Sequence, residues 1–182
     1  MTSQFARAVF LDRDGVLNQA IVRDGKPYPP QSLDEFVIVP GVAERLGSLR
    51  VRNFRLIVVT NQPDVARGTT PREFVEQLNR LLADNLQVID EVLVCYHDDE
   101  DCCSCRKPLP GLFHQAQDRY NIRLDASYMV GDRWRDIEAG NRAGCKTIFV
   151  DYGYAELAGN RVADFLCNSP VEALDWILSK ET

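Results

Sequence analysis

The sequence predicts an α/β fold in which a central parallel sheet is covered by helices on both faces. Three observations lead to this class. Short runs rich in Val, Ile and Phe recur along the chain, segments with helical periodicity separate them, and no flexible linker divides the sequence. The chain has 182 residues, of which 45% are apolar, so it is long enough to enclose one hydrophobic core. We therefore expect a single domain over residues 1–182.

The predicted strands are short and apolar, which is typical of parallel strands buried on both faces. They cover residues 8–11, 56–60, 92–96, 128–130 and 147–150. Because the carboxyl ends of parallel strands form the ligand crevice of such a sheet, the residues that follow each strand are candidates for a functional site.

Between the strands, apolar residues recur at spacings of three and four, which is the period of one helical face. This pattern predicts helices over residues 42–52, 71–86, 112–120, 135–143 and 171–178. With helices between consecutive strands, the chain has the alternation that a parallel sheet requires.

Capping residues indicate where two of these helices begin. Pro71 suits the first helical turn, with Thr70 as its cap. Asn168, Ser169 and Pro170 open the last helix in the same manner.

Two segments break the alternation of strands and helices. Residues 19–40 contain four of the nine prolines, and residues 97–110 are acidic, then rich in cysteine, then basic. Long loops in a compact domain are often functional, so both segments are candidates for parts of a site.

The charge balance disfavours some classes of partner. The chain has 21 Lys+Arg against 27 Asp+Glu, a formal charge of −6, which disfavours binding to nucleic acid or an anionic membrane. No apolar run approaches the roughly 18 to 20 residues of a membrane span, and the amino terminus lacks the sections of a signal peptide. We expect a cytoplasmic monomer that has no nucleic-acid or membrane partner and binds anions only at a local site.

Two acidic turns follow predicted strands. Asp12 and Asp14 come directly after the first strand, where Gly15 permits a tight turn, and Asp132 and Asp136 follow the fourth. One such turn fits a solvated loop as well as a site, but two at adjacent strand ends indicate a metal site. Hard carboxylate oxygens suit Mg²⁺, which commonly bridges carboxylates to a phosphate.

Three further side chains fit a phosphate ligand at the same edge of the sheet. Thr60 and Asn61 end the second strand with a hydroxyl and an amide that can donate hydrogen bonds to phosphate oxygens. Lys107, in the basic end of the cysteine-rich segment, supplies a fixed positive charge. With Mg²⁺, these groups offset the charge of a phosphate so that a carboxylate can approach it.

These residues resemble the four motifs of the haloacid dehalogenase (HAD) superfamily, in the right order and at strand ends. The matching pattern is Asp12-x-Asp14-Gly15, Thr60-Asn61, Lys107 and Gly131-Asp132-x-x-x-Asp136. The resemblance covers roughly residues 8–150. It implies a Rossmann-like three-layer sandwich with a central parallel sheet, of the HAD type that has no cap domain.

The resemblance also implies a role for each acid. Asp12 is expected to be the nucleophile that attacks phosphorus, and Asp14 the general acid and then the general base. Mg²⁺ is expected on Asp12, Asp132 and the backbone carbonyl of Asp14. Asp136 is expected to support the site through Lys107 or through a metal-bound water, and Thr60 and Lys107 complete the catalytic group.

Four of the six cysteines fall between positions 95 and 105, a spacing that indicates metal ligands in a reducing compartment. Cys95, His97, Cys103 and Cys105 provide three thiolates and an imidazole, a closed tetrahedral set for a structural Zn²⁺. Cys102 and Cys105 also form a C-x-x-C pair, so Cys102 is an alternative to Cys103. A loop of free thiols is the other alternative.

The cysteine segment leads directly into Arg106-Lys107-Pro108, so zinc is expected to fix the position of the Lys107 ammonium. Within the superfamily, this loop and the segment Thr60-Asn61-Gln62-x-x-x-Ala66-Arg67-Gly68 resemble the histidinol-phosphate and heptose-bisphosphate phosphatase group. The resemblance implies that Arg106 and Arg133 contact a small phosphorylated sugar or metabolite, and that residues 19–40 help to close the site.

The reaction that the resemblance implies is a phosphomonoester hydrolysis through an aspartyl-phosphate intermediate. The leading expected substrate is heptose 1,7-bisphosphate, cleaved at position 7. Two alternatives remain open: histidinol phosphate as the substrate, and a scaffold that binds phosphate in the same pocket without turnover.

Overall fold

The structure is a computed structural model and describes residues 5–155 and 162–181. Its strands are β1 (Arg7–Leu11), β2 (Ile21–Arg23), β3 (Lys26–Tyr28), β4 (Phe54–Asn61), β5 (Glu91–Cys95), β6 (Tyr128–Gly131), β7 (Lys146–Val150) and β8 (Phe165–Cys167). Its helices are α1 (Val42–Val51), α2 (Arg72–Leu86), α3 (Gly111–Tyr120), α4 (Trp134–Ala143) and α5 (Pro170–Lys180), with a 3₁₀ turn over Leu124–Ala126.

Six of the strands form one parallel sheet in the order β5-β4-β1-β6-β7-β8. All five predicted strands lie in this sheet, so the predicted α/β class and the parallel central sheet are confirmed. The order places β4, β1 and β6 side by side. The residues that follow these three strands therefore meet at one edge, as the sequence predicts.

Two parts of the strand architecture differ from the sequence prediction. β8 is a sixth parallel strand at the edge of the sheet, and its three residues are too few to stand out as an apolar run. β2 and β3 form an antiparallel hairpin within the proline-rich segment, separate from the main sheet. Pro27 lies inside β3, where a proline argues against a strand in a sequence-based prediction.

All five predicted helices are present, and the starts of two of them test the capping residues. The Ser169 hydroxyl accepts a hydrogen bond from the Glu172 N–H at 3.2 Å, and Pro170 is the first helical residue, so the predicted start of α5 is confirmed. The predicted start of α2 is wrong by one residue. Pro71 has an extended backbone, with ψ 138°, so it takes the cap position itself and the helix begins at Arg72.

Helices cover both faces of the sheet, which gives the three layers. Alternate residues of a strand point to opposite faces, and in β1 Val9 and Leu11 pack on one side while Ala8 and Phe10 pack on the other. The first face is covered by apolar residues of α1, α2 and α5, and the second by those of α3 and α4. Among the described residues, no helix has the length and apolarity needed to cross a membrane.

Asp90 holds the start of β5 against β4 through a buried carboxylate. Its oxygens accept hydrogen bonds from Arg50 and Arg55, both at 2.6 Å, and from the Leu56 N–H at 2.8 Å. Burial raises the pKa of Asp90, but these hydrogen bonds and the charge of Arg50 outweigh it, so the net pKa is lowered. The ionised carboxylate is therefore a stabilising feature of the folded state.

We expect Asp90→Asn to lower the free energy of unfolding at pH 7 by about 2 kcal/mol, the usual range for hydrogen bonds to charged groups. The difference should be present above the unfolded carboxyl pKa of about 4 and should disappear as the pH falls through the lower folded pKa. Urea denaturation at several pH values measures both. The control is Asp175→Asn, which removes an exposed pair with Arg45 and should change stability by less than about 1 kcal/mol. Equal losses in the two variants would contradict the assignment.

Candidate active site

A cleft of about 1090 Å³ opens at the carboxyl ends of β4, β1 and β6. Asp12 follows β1, Thr60 belongs to the end of β4, and Asp132 follows β6, so three neighbouring strands deliver one side chain each. Asp136 comes from the first turn of α4 and Lys107 from the loop before α3, and both line the same cleft.

Three buried carboxylates meet at the bottom of the cleft. Oxygen atoms of Asp12, Asp132 and Asp136 all lie within 4.8 Å of one another, and the three residues are at most 8% exposed. Burial and then the charges of Asp12 and Asp136 raise the pKa of Asp132 well above its usual value. Neither oxygen of the Asp132 carboxylate accepts a hydrogen bond of normal geometry from a described residue, although the Tyr154 hydroxyl interacts with the carboxylate and acts against the rise in its pKa. Buried carboxylates of this kind fit a hard divalent cation.

Gly15 allows the two acidic turns to approach each other. Its backbone has φ +91°, a conformation that side-chain-bearing residues rarely adopt. A Cβ atom at this position would lie 2.0 Å from Oδ2 of Asp132. The glycine that the sequence places after Asp14 is therefore needed for contact between the β1 and β6 turns.

Lys107 supplies the positive charge within the acidic cluster. Its ammonium donates hydrogen bonds to Oδ1 of Asp12 at 2.8 Å and to the Val59 carbonyl at 2.7 Å, and it lies 2.5 Å from Oδ1 of Asp136. Burial lowers the pKa of Lys107, but the charges of the two carboxylates outweigh it and the net pKa is raised. The residue is therefore a fixed cation. Burial raises the pKa of Asp12 to about 6, although Lys107 acts in the opposite direction.

Asp136 has two structural roles at this site. Besides its ion pair with Lys107, its Oδ2 accepts a hydrogen bond from the Arg133 N–H at 3.0 Å at the start of α4. The carboxylate thus fixes the helix start and the ammonium together. The contact with Lys107 is present, and the expected supporting role of Asp136 stays a prediction.

Asn61 is directed at the Lys107 loop. Its Oδ1 accepts a hydrogen bond from the Lys107 N–H at 3.1 Å, and its Nδ2 donates one to the Lys107 carbonyl at 3.0 Å. This reciprocal pair attaches the loop to the end of β4. The predicted contact between Asn61 and substrate is a separate matter, and it stays a prediction.

The other two predicted substrate residues, Arg106 and Arg133, line the cleft. The Arg106 guanidinium donates hydrogen bonds to Oδ1 of Asp99 at 2.9 Å and to the His97 carbonyl at 3.3 Å. Residues of the β2–β3 hairpin, including Lys26 and Tyr28, also line the cleft. The proline-rich segment therefore borders the cleft, and its expected part in closing the site stays a prediction.

Asp14 is held by a set of polar side chains that sequence reasoning missed. Its carboxylate accepts hydrogen bonds from Arg13, Asn18 and Gln62. Burial raises the pKa of Asp14. The charge of Arg13 and the hydrogen bonds from Arg13, Asn18 and Gln62 lower it by more than burial raises it, so the net pKa is below its usual value. Gln62 also donates to Oγ1 of Thr60 at 3.0 Å. The sequence feature that could have identified Gln62 as part of the site is its position directly after Thr60-Asn61.

The four predicted zinc ligands come together beside the cleft. The Cys105 sulfur lies 3.2 Å from that of Cys95 and 3.5 Å from that of Cys103, and the Cys95 and Cys103 sulfurs are 3.7 Å apart. Nδ1 of His97 lies 3.3 Å from the Cys105 sulfur and 3.7 Å from the Cys95 sulfur. Zn–S bonds of about 2.3 Å in a tetrahedron place sulfurs about 3.8 Å apart, so only a slight expansion is needed. Cys102 is exposed and lies outside this group of four.

Comparison with known proteins gives a family match and full-length relatives. The model of the Hydrolase_like family, described as HAD-hydrolase-like, matches residues 104–169. The D-glycero-beta-D-manno-heptose-1,7-bisphosphate 7-phosphatase of Haemophilus ducreyi is 36% identical over 94% of this chain and 98% of its own length. The enzyme of the same name from Yersinia pestis is 37% identical over 92% of this chain and 93% of its own.

The solved structures agree with the sequence relatives. The D,D-heptose 1,7-bisphosphate phosphatase of B. bronchiseptica, crystallised with magnesium and phosphate, superposes with a TM-score of 0.80 and 30% identity, covering 96% of this chain and 99% of that one. A similarity of this extent establishes common ancestry as well as a common fold. The chain belongs to the haloacid dehalogenase superfamily, and within it to the family of the heptose-bisphosphate phosphatases.

Proposed function

We propose that the protein is a Mg²⁺-dependent phosphatase that removes the 7-phosphate of D-glycero-β-D-manno-heptose 1,7-bisphosphate. The observation that carries this proposal is the buried cluster of Asp12, Asp132, Asp136 and Lys107. The names of the relatives support the sugar substrate and its β anomer. Arg106 and Arg133, which line the cleft, supply positive charge for a doubly phosphorylated ligand.

The carboxylates of Asp12 and Asp132, with the backbone carbonyl of Asp14, are the proposed ligands of Mg²⁺. Bound there, the cation supplies Lewis-acid neutralisation of phosphate charge. The Lys107 ammonium contributes a second positive charge and keeps Oδ1 of Asp12 oriented through its 2.8 Å hydrogen bond. The Thr60 hydroxyl lines the cleft and is a donor for a phosphate oxygen.

Hydrolysis proceeds in two displacements at phosphorus. A carboxylate oxygen of Asp12 forms a bond to phosphorus while the bond to the sugar oxygen breaks, and Asp14, which enters this step in its protonated form, gives that oxygen a proton. Asp14 then removes a proton from water as the water oxygen attacks the aspartyl phosphate, and the Asp12 carboxylate is regenerated with release of inorganic phosphate. Dividing the reaction in this way replaces one difficult hydrolysis with two easier steps.

We also propose that Cys95, His97, Cys103 and Cys105 bind a structural Zn²⁺. The donor set fits the metal, because three thiolates and an imidazole occupy all four tetrahedral positions. The last ligand is followed directly by Arg106 and Lys107. Zinc at this place holds the loop that presents the ammonium to Asp12.

Further properties of the chain are proposed with this function. We infer one domain over residues 1–182 and a cytoplasmic monomer without nucleic-acid or membrane partners. The net charge of −6 supports the absence of anionic polymers as ligands. All six cysteines are free, which supports a reducing compartment.

Substitution of the proposed nucleophile tests the mechanism. We expect Asp12→Asn to lower turnover by about three orders of magnitude, because an amide does not form the acyl phosphate. Phosphate release with Mg²⁺ measures the rate, and far-UV circular dichroism checks the fold. Asp118→Asn, an exposed acid on α3, is the matched control and should be as active as the parent protein. Hydrolysis by Asp12→Asn at the parent rate would contradict the covalent mechanism.

A substrate panel tests the sugar assignment. We expect kcat/KM for heptose β-1,7-bisphosphate to exceed the values for its α anomer and for histidinol phosphate by about tenfold or more, a difference of about 1.4 kcal/mol or more in transition-state binding. Faster hydrolysis of histidinol phosphate would replace the proposed substrate. A parent protein that binds phosphate but turns over no ester would favour the scaffold alternative.

The zinc proposal is tested by comparing two adjacent cysteines. The purified protein and Cys102→Ser should each contain about one equivalent of zinc, whereas Cys103→Ser should contain much less, since three protein ligands form an incomplete structural site. Elemental analysis measures the metal. Zinc loss should lower kcat more than it weakens Mg²⁺ activation, because Lys107 is displaced while the carboxylates remain. If Cys102→Ser loses its zinc and Cys103→Ser keeps it, the fourth zinc ligand is Cys102 and not Cys103.

A further inference from the structure

The carboxylate of Asp14 has its hydrogen-bonding capacity filled. Oδ1 accepts from Nε of Arg13 at 3.2 Å and from Nδ2 of Asn18 at 3.0 Å. Oδ2 accepts from Nη2 of Arg13 at 2.9 Å and from Nε2 of Gln62 at 3.0 Å. An ionised carboxylate offers about four lone-pair sites, so these donors fix both its plane and its direction.

Arg13 is the central member of this set. Its side chain is completely buried, although the residue stands between two catalytic acids at a strand end. A buried guanidinium is costly unless its donors are paired, and two of its nitrogens are used by the fork onto Asp14. The third nitrogen, Nη1, donates to Oδ1 of Asn79 at 2.9 Å.

Asn79 reaches Arg13 from a distant part of the chain. It lies in the middle of α2, 66 positions further along, and is only 7% exposed. A buried amide on the inner face of a helix loses its hydration, which is costly unless it forms hydrogen bonds. Its hydrogen bond to Nη1 offsets that loss and fixes the rotation of the guanidinium about its long side chain.

The three side chains that donate these hydrogen bonds differ in their access to the cleft. Arg13 and Asn18 are wholly buried, and Asn18 is further held by a hydrogen bond from its Nδ2 to the Gln19 carbonyl at 3.1 Å. Gln62 lines the cleft and bridges Asp14 to Thr60. The buried side of Asp14 is therefore rigid. Of these hydrogen bonds, the one from Gln62 to Oδ2 lies on the cleft side, where a ligand or water can replace it.

We propose that Asn79 and Arg13 are positioning residues for proton transfer by Asp14. The proposal rests on the phosphatase function proposed above. Asn79 orients the guanidinium, and the guanidinium holds the carboxylate so that its Oδ2 faces the sugar oxygen during cleavage and the water during hydrolysis of the aspartyl phosphate. The proton moves from Asp14 to the sugar oxygen in the first step and from water to Asp14 in the second.

The dependence of the rate on the leaving group tests this role. An alkyl leaving group needs a proton as the P–O bond breaks, whereas 4-nitrophenolate leaves without one. We expect Asn79→Leu to slow the first turnover of the heptose bisphosphate by about ten- to a hundredfold, part of the usual contribution of general acid catalysis. First-turnover release of 4-nitrophenol from 4-nitrophenyl phosphate should change by less than about threefold. Rapid-quench kinetics at saturating Mg²⁺ measure both.

Two further variants separate positioning from packing. Asn79→Asp keeps an acceptor at the position of Oδ1 and should restore most of the lost rate. Arg13→Lys keeps the positive charge but cannot donate to both oxygens of Asp14 at once. It should therefore slow the alkyl substrate more than 4-nitrophenyl phosphate, and it provides this test even if Asn79→Leu folds poorly. Asn85→Leu makes the same substitution at an exposed position of α2 and should behave like the parent protein.

The outcomes distinguish this proposal from the proposed function. Equal slowing of both substrates in Asn79→Leu and in Arg13→Lys would overturn the positioning role, while continued hydrolysis by the parent protein and its loss in Asp12→Asn would leave the phosphatase intact. A parent protein that hydrolyses neither substrate would overturn both. A defect confined to the alkyl substrate would support the positioning role.

Discussion

The site depends on the balance between one buried ammonium and three buried carboxylates. Lys107 contacts Asp12 and Asp136 directly, but one positive charge does not neutralise three negative charges. Desolvation makes the imbalance costly, and it is concentrated at Asp132, whose buried carboxylate oxygens have no hydrogen bond of normal geometry from a described residue. A divalent cation offsets it. The fold around the site, from Gly15 to the hydrogen bonds of Asn61, keeps these charges close together.

Much of this arrangement was predictable because strand order and chain direction determine it. Parallel strands bring their carboxyl ends to one edge, so acids after the first and fourth predicted strands had to be near each other once β1 and β6 paired. The helices followed from their apolar period. The cluster of three cysteines and one histidine followed from its spacing, together with the family resemblance that favours Cys103 over Cys102. These features depend on local sequence or on a single topological rule.

The parts that were missed depend on long-range partners or on weak local signals. β8 is a three-residue strand that is defined by its pairing with β7. Asn79 gave no sign of a role, because nothing in a helical sequence shows which distant cation a buried amide meets. Asn61 had an evident donor and acceptor, yet its hydrogen bonds to the backbone of Lys107 became visible only when the loop was in place.

Asp12, the proposed nucleophile, and Lys107, its ammonium partner, are 95 positions apart in the chain. A ribosome releases the amino-terminal half of a protein well before the rest, so Asp12 emerges long before the loop that carries Lys107. Until that loop docks on β4, the carboxylate lacks its counter-charge and its fixed direction. A polypeptide that ends before this loop therefore lacks one of the charged groups of the proposed active site.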